Sequence, residues 1–184
     1  MQVSIEMVAH SEPVRMGLLR RTFELAREAE AAGEAPFGAL VVDLHGNVVA
    51  EGQNAIEANN DPSAHAESLA LRAAHKSMGA ASLAKCHLYS STEPCAMCCA
   101  LAFWTGVCSI TFGAEASVIS EHAVKPGFVD REHPHAGGAP AGSARAVFCG
   151  KTAEGVERMV SGPHLVDEAR EVHDRYWVPV SSET

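Results

Sequence analysis

The sequence predicts a layered α/β domain built on a mixed five-stranded sheet, and three observations carry that prediction. Helical and strand-like stretches alternate along most of the chain. The first two strands are joined only by Leu44-His45-Gly46-Asn47, a hairpin signal that argues against a fully parallel sheet. No internal repeat, low-complexity tract or linker divides the 184 residues. One domain over 1–184 is therefore expected, with a core large enough to need no disulfide staples.

Residues 1–12 lack a strong pattern and read as an arm. From Pro13 to Ala32, Leu18, Thr22, Leu25, Ala29 and Ala32 recur along one helical face, with Ser11 as a candidate N-cap and Gly33 as the stop. Phe37–Asp43 and Val48–Gly52 form the hairpin strands, and Pro36 and Gly38 suggest a tight approach at its entry. A polar loop leads to a helix from about Ala64 to Gly79, with Asp61 or Ser63 as its cap. Cys86–Ser90 is the third strand. Pro94 opens the next helix, which ends near Gly106, and Val107–Gly113 is the fourth strand. A short helix is expected within Ala116–Val124, followed by a Gly/Pro/His-rich stretch, so 114–143 reads as an insertion or lid. Ala144–Cys149 is assigned as the fifth strand, Thr152–Val160 as a short helix, Pro163–Tyr176 as the last helix and 178–184 as a tail.

The composition, 47% hydrophobic and 20% charged, is that of a globular protein. Residues 1–10 contain Glu6 and lack a basic region or long apolar run, so no signal peptide is expected; the apolar stretches Ala39–Val42 and Ala100–Trp104 are too short to span a membrane. Of the six cysteines, Cys98 and Cys99 are adjacent and Cys95 completes a metal-ligand spacing, which fits a reducing cytoplasm. Cys86, Cys108 and Cys149 lie in apolar runs and read as buried thiols. The net charge of −9, with Arg20-Arg21 as the only adjacent basic pair, disfavours a nucleic-acid partner.

The chemistry is concentrated in His65-Ala66-Glu67 and Pro94-Cys95-Ala96-Met97-Cys98. One imidazole and two thiolates make a good donor set for a single Zn²⁺, and three protein ligands leave one position open for water. Glu67 is not needed as a ligand and can handle that water's protons. The order H-x-E…P-C-x-x-C is the signature of zinc deaminases. A closed structural site would need a further ligand such as Cys99, which is assigned to packing; a noncatalytic zinc module is the competing class.

These residues resemble the cytidine deaminase-like superfamily, in particular its bacterial guanine or nucleoside deaminases and tRNA-specific adenosine deaminases. The resemblance is carried by Pro36-Phe37-Gly38-Ala39, Glu51-Gly52-Gln53-Asn54, Asn60-Asp61-Pro62-Ser63-Ala64-His65-Ala66-Glu67 and Glu93-Pro94-Cys95-Ala96-Met97-Cys98, and runs from about residue 15 to 113. It implies a three-layer α/β/α fold, zinc on His65, Cys95 and Cys98, Glu67 as proton shuttle, and a homodimer. It also implies base-binding positions at Phe37, Asn54 and Ala66. Trp104 resembles the pocket tryptophan of the guanine branch, and Asp130 in Gly127-Phe128-Val129-Asp130 resembles that branch's substrate-contacting aspartate. Asp130 with His133-Pro134 also resembles the loop of the tRNA enzymes, but a basic RNA-binding tail is absent. The expected reaction is hydrolytic deamination of a purine base or nucleoside, guanine to xanthine first. Deamination of tRNA adenosine, or of cytosine or another amino-heterocycle, is the alternative. His133 and His135 could suggest a second metal site, but they read more simply as loop histidines.

Overall fold

The computed structural model describes residues 10–118, 143–148 and 158–176. Helix α1 (Glu12–Ala31) precedes strands β1 (Gly38–Val42) and β2 (Val48–Gln53). A one-turn helix α2 (Ile56–Asn59), α3 (Ala66–Met78) and a second one-turn helix α4 (Ala80–Leu83) lead to β3 (His87–Thr92). Then come α5 (Ala96–Thr105), β4 (Ser109–Ala114), α6 (Ser143–Phe148), β5 (Met159–Ser161) and α7 (Val166–Tyr176). The sheet order is β2-β1-β3-β4-β5. The pairs β2–β1 and β1–β3 are antiparallel, whereas β3–β4 and β4–β5 are parallel. The mixed five-stranded sheet is thus as expected.

The run Gly-Ala-Leu-Val-Val of β1 is buried at every position because both sheet faces are covered. Alternate residues go to opposite sides. Ala39 and Val41 join Leu88, Ile110 and Phe112 against Ala70, Leu71 and Ala74 of α3 and Cys99 and Ala102 of α5. Leu40 and Val42 join Tyr89 and Ala114 against Leu19, Phe23 and Ala26 of α1 and Ala169 and Val172 of α7. These are the three layers. The hairpin is closed by Asp43, whose Oδ1 accepts the backbone N–H groups of His45 and Asn47 at 2.8 and 2.9 Å. Edge strand β2 is only partly buried, and its Glu51 pairs with Arg21 at 2.8 Å.

Helix α1 buries Leu18, Thr22, Leu25 and Ala29 as its spacing predicts and stops at Gly33, which has φ +85°. Ser11 precedes it without a side-chain cap, and neither Asp61 nor Ser63 caps α3, since His65 occupies the N-cap position. The fifth strand is a correction. Residues 143–148 are helical, with Ala144 and Phe148 buried four residues apart on one face. A six-residue apolar run holds too few turns for its period to separate helix from strand. The strand instead lies at Met159–Ser161, overlapping the end of the stretch Thr152–Val160 expected to be a short helix, where pairing with Ser109–Thr111 defines it more than burial does. The arm, residues 119–142, Cys149 and the tail lie outside the described residues. Among the described residues, no helix is long and apolar enough to cross a membrane.

The topology gathers the chemistry-bearing residues. Because β1 is antiparallel to both neighbours, β2 and β3 end at the same sheet end, where β1 begins. Helices α3 and α5 start there and pack on one face. Gly52 sets how close α3 comes: a Cβ at this position would overlap the Ala66 carbonyl oxygen and lie 2.8 Å from the Ala70 nitrogen. Gly52→Ala should therefore push away the first turn of α3. The expected cost is about 1–3 kcal/mol, a Tm loss of several degrees, with weaker zinc retention. Thermal scans and metal analysis beside the wild type test this, and unchanged values for both would refute the close contact.

Candidate active site

His65 and Cys95 are the N-cap residues of α3 and α5, and Cys98 lies one turn into α5. The His65 Nδ1 atom is 3.7 Å from Cys95 Sγ and 3.6 Å from Cys98 Sγ, and the three donor atoms all lie within 4.8 Å of one another. Tetrahedral zinc with Zn–S near 2.3 Å and Zn–N near 2.0 Å places S and N about 3.5 Å apart. The observed spacing fits that ion without rearrangement. Among the described residues, the cluster contains no fourth protein donor. Cys95 and Cys98 sit at the positive N-terminal end of α5, which favours thiolate.

The donors are already polarised. The Cys98 thiol shares its proton with Cys95, which lowers Cys95 to about 4 despite opposing burial, with His65 contributing; the same sharing and burial push Cys98 up. His65 is raised, first by its hydrogen bond to Cys95. Cys99 points away, donating to the Pro94 carbonyl at 3.2 Å within the core, as its assignment to packing required.

Glu67 lies in the first turn of α3 and is 5% exposed. Burial is the main cause of a carboxyl pKa raised above its ordinary value. Ser90 donates to Oε1 at 3.0 Å, and Cys98 Sγ lies 3.5 Å from Oε2. Ser90 received no role from the sequence, although a serine at a fully buried position of an apolar strand is the signal that could have marked it. Ser68 also approaches Cys98, at 3.6 Å between Oγ and Sγ.

Of the other sequence-selected residues, three lie beside the site and Trp104 does not. Phe37 and Asn54 lie at the same sheet end, joined by the Asn54 N–H to Phe37 C=O hydrogen bond at 3.0 Å. Ala66 is buried beside His65. Trp104 is 82% exposed near the far end of α5, edge-on to Phe103. Asp130, His133 and His135 lie outside the described residues. Three further residues received no role from the sequence, although Glu93 stands in the Glu93-Pro94-Cys95 motif. Buried Glu34 accepts from Asn54 and from the start of α2. Glu93 accepts from the backbone of Ala116 and Ala144, at 3.4 and 3.3 Å. His173 of α7 bonds Thr92 at 2.7 Å and packs against the Phe37 ring at 5.4 Å.

Comparison with known proteins places this geometry. Residues 15–114 match the cytidine and deoxycytidylate deaminase zinc-binding region. The guanine deaminase of Bacillus subtilis (strain 168) is 41% identical over 115 residues, covering 62% of this chain and 73% of the relative. A probable cytosine deaminase of Schizosaccharomyces pombe is 32% identical over 162 residues, or 88% of this chain and 91% of that one. The tRNA-specific adenosine deaminase of Haemophilus influenzae is 40% identical over 97 residues, 53% of this chain and 56% of that one. Among solved structures, NE0047 in complex with 2,6-diaminopurine matches with a TM-score of 0.72 and 27% identity, covering 92% of this chain and 85% of that one. Since the matched region holds His65, Glu67, Cys95 and Cys98 and spans more than half of the sequence, the chain belongs to the cytidine and deoxycytidylate deaminase zinc-binding family and is a zinc-dependent deaminase.

Proposed function

We propose that the enzyme deaminates a free purine base, converting guanine and water to xanthine and ammonia. The observation that carries this reading is the double likeness to purine-handling proteins. A guanine deaminase is similar through the site region, and a structure containing 2,6-diaminopurine is similar over nearly the whole described fold. The net charge of −9 supports a small ligand over an RNA.

In this reading His65, Cys95 and Cys98 hold one Zn²⁺, which when bound supplies Lewis acidity and a water of near-neutral pKa. Glu67 would take a proton from the water that adds to the amino-bearing ring carbon and return it to the adjacent ring nitrogen. A second proton passes through Glu67 to the departing amine, which leaves as ammonia. The raised proton affinity of the buried carboxyl suits both steps. Ser90 holds one carboxyl oxygen in place. Asn54 binds a ring edge, Phe37 supplies an apolar surface, and Ala66 offers its backbone N–H at the helix start. Asp130 stays in the proposal as a further base contact on the strength of its motif alone. The exposure of Trp104 suits subunit contact better than a pocket wall. With exposed Met97 and Phe103 on the same helix, it supports the homodimer that the resemblance implies.

Metal analysis of the purified enzyme should find one zinc per chain, and Cys95→Ala should lose it. Glu67→Gln should keep zinc and fold while turnover drops roughly 10²–10⁴-fold. Zinc loss in Glu67→Gln would instead make Glu67 a residue that orients the ligands.

An ammonia-release screen over guanine, guanosine, adenine, adenosine, cytosine and cytidine should rank guanine first. A tRNA anticodon stem-loop, assayed for inosine, should remain unchanged. Inosine formation without small-molecule turnover would replace this reading with the tRNA one, and cytosine as the best substrate would move it to the pyrimidine relatives.

Light scattering should give twice the chain mass, and Trp104→Arg should shift the equilibrium toward monomer. A monomeric wild-type enzyme would remove the dimer from the proposal.

A further inference from the structure

We propose that Glu34 is a positioning residue that fixes the sense of the Asn54 amide, so that Asn54 presents Oδ1 to a ring N–H of the base. The inference rests on the reading of Asn54 as a base contact and extends it to the hydrogen-bonding class of the ligand. Glu34 is 4% exposed, and among the described residues no cation pairs with it. Amides satisfy its carboxylate instead. Oε1 accepts the Ala58 N–H at 2.7 Å, and Oε2 accepts the Glu57 N–H and Asn54 Nδ2, both at 3.3 Å.

A carboxylate accepts and does not donate, so only the nitrogen end of the Asn54 amide can face it. The reversed amide would set two acceptor oxygens against each other in a buried place, at a cost comparable to a lost hydrogen bond to a charged group. The backbone fixes the rest. Asn54 N–H bonds to Phe37 C=O, and Ala55 N–H bonds to Ala64 C=O, both at 3.0 Å, immediately before His65. Oδ1 makes no hydrogen bond with any described residue, so its acceptor capacity is left for a ligand.

An asparagine free to rotate its amide reads a donor or an acceptor equally well. Locked by Glu34, it prefers a heterocycle presenting a protonated ring nitrogen, a lactam or azole N–H, over one presenting a lone pair. Glu34→Gln tests the lock, because Gln keeps the volume and one acceptor oxygen; with that oxygen on the Ala58 N–H, its amide nitrogen faces Asn54 and favours the reversed sense. With zinc-loaded full-length enzyme and the base that the wild type turns over fastest, KM should rise about 10-fold with kcat nearly unchanged. Zinc content and Tm should hold. Asn54→Asp alone, with two carboxylates facing each other, should raise KM at least as much. Combining E34Q with N54D restores a donor facing an acceptor and leaves the second Asp oxygen free, so KM should fall below that of either single variant. The proposal is overturned by an unchanged KM in E34Q, by a double variant no better than N54D alone, or by loss of zinc or Tm in E34Q, which would make Glu34 only a structural cap. Failure of the purine assignment would show in the wild-type screen, before any variant is made.

Discussion

The site depends on one spatial constraint: an imidazole and two sulfurs, from residues 30 and 33 apart in sequence, must meet within the span of one metal ion. The sheet provides the meeting point by ending β2 and β3 on the same side and starting a helix there from each connection. The absence of a side chain at Gly52 brings α3 close enough for its N-cap to reach the N-cap of α5. Buried layers on both faces then hold the two helix starts against drift. The geometry is therefore a property of the whole sheet.

The second half of the chain is fastened to the same place. Glu93, two residues before Cys95, accepts N–H groups from Ala116 and Ala144, so the segments on both sides of residues 119–142 are tied to the metal loop. His173 ties α7 to the end of β3 through Thr92 and to Phe37 through ring contact. A substitution at any of these anchors acts on the site through position, without touching the reacting atoms.

Legibility in the sequence followed the range of the interactions involved. The ligand set and Glu67 were readable because each half of the signature is local, and their spacing matches helix starts. The first four strands were readable from period and turn residues. The exchange of helix and strand after residue 143 was not, because a three-residue edge strand takes its identity from pairing with β4, and Ser-Ala-Arg-Ala-Val-Phe has too few turns to show a period. Glu34 and His173 were invisible for a different reason. Their partners lie 20 to 81 residues away, and a lone Glu after a helix or a lone His within one carries no local signal. Trp104 lies at the surface of the single chain although its helix starts at the metal, and its place near a ligand has no signal beyond the motif.

Charge explains why the ligand set and the buried carboxyl belong together. Two thiolates balance the charge of a divalent ion, and a neutral imidazole adds none, so the loaded donor set has no net charge to hold Glu67 ionised. Burial is the main cause that raises the proton affinity of that carboxyl, the nearby Cys95 adds to it, and its own backbone N–H, His65 and Ser90 moderate it. A set of three histidines would leave two positive charges beside Glu67 and pull its pKa down, making it a poor donor to a departing amine at neutral pH. A third thiolate would leave a net negative charge that opposes ionisation and keeps the carboxyl protonated to higher pH. The His/Cys/Cys composition lies between these limits, which supports the proposed role of Glu67 as a carboxyl that both takes and returns a proton.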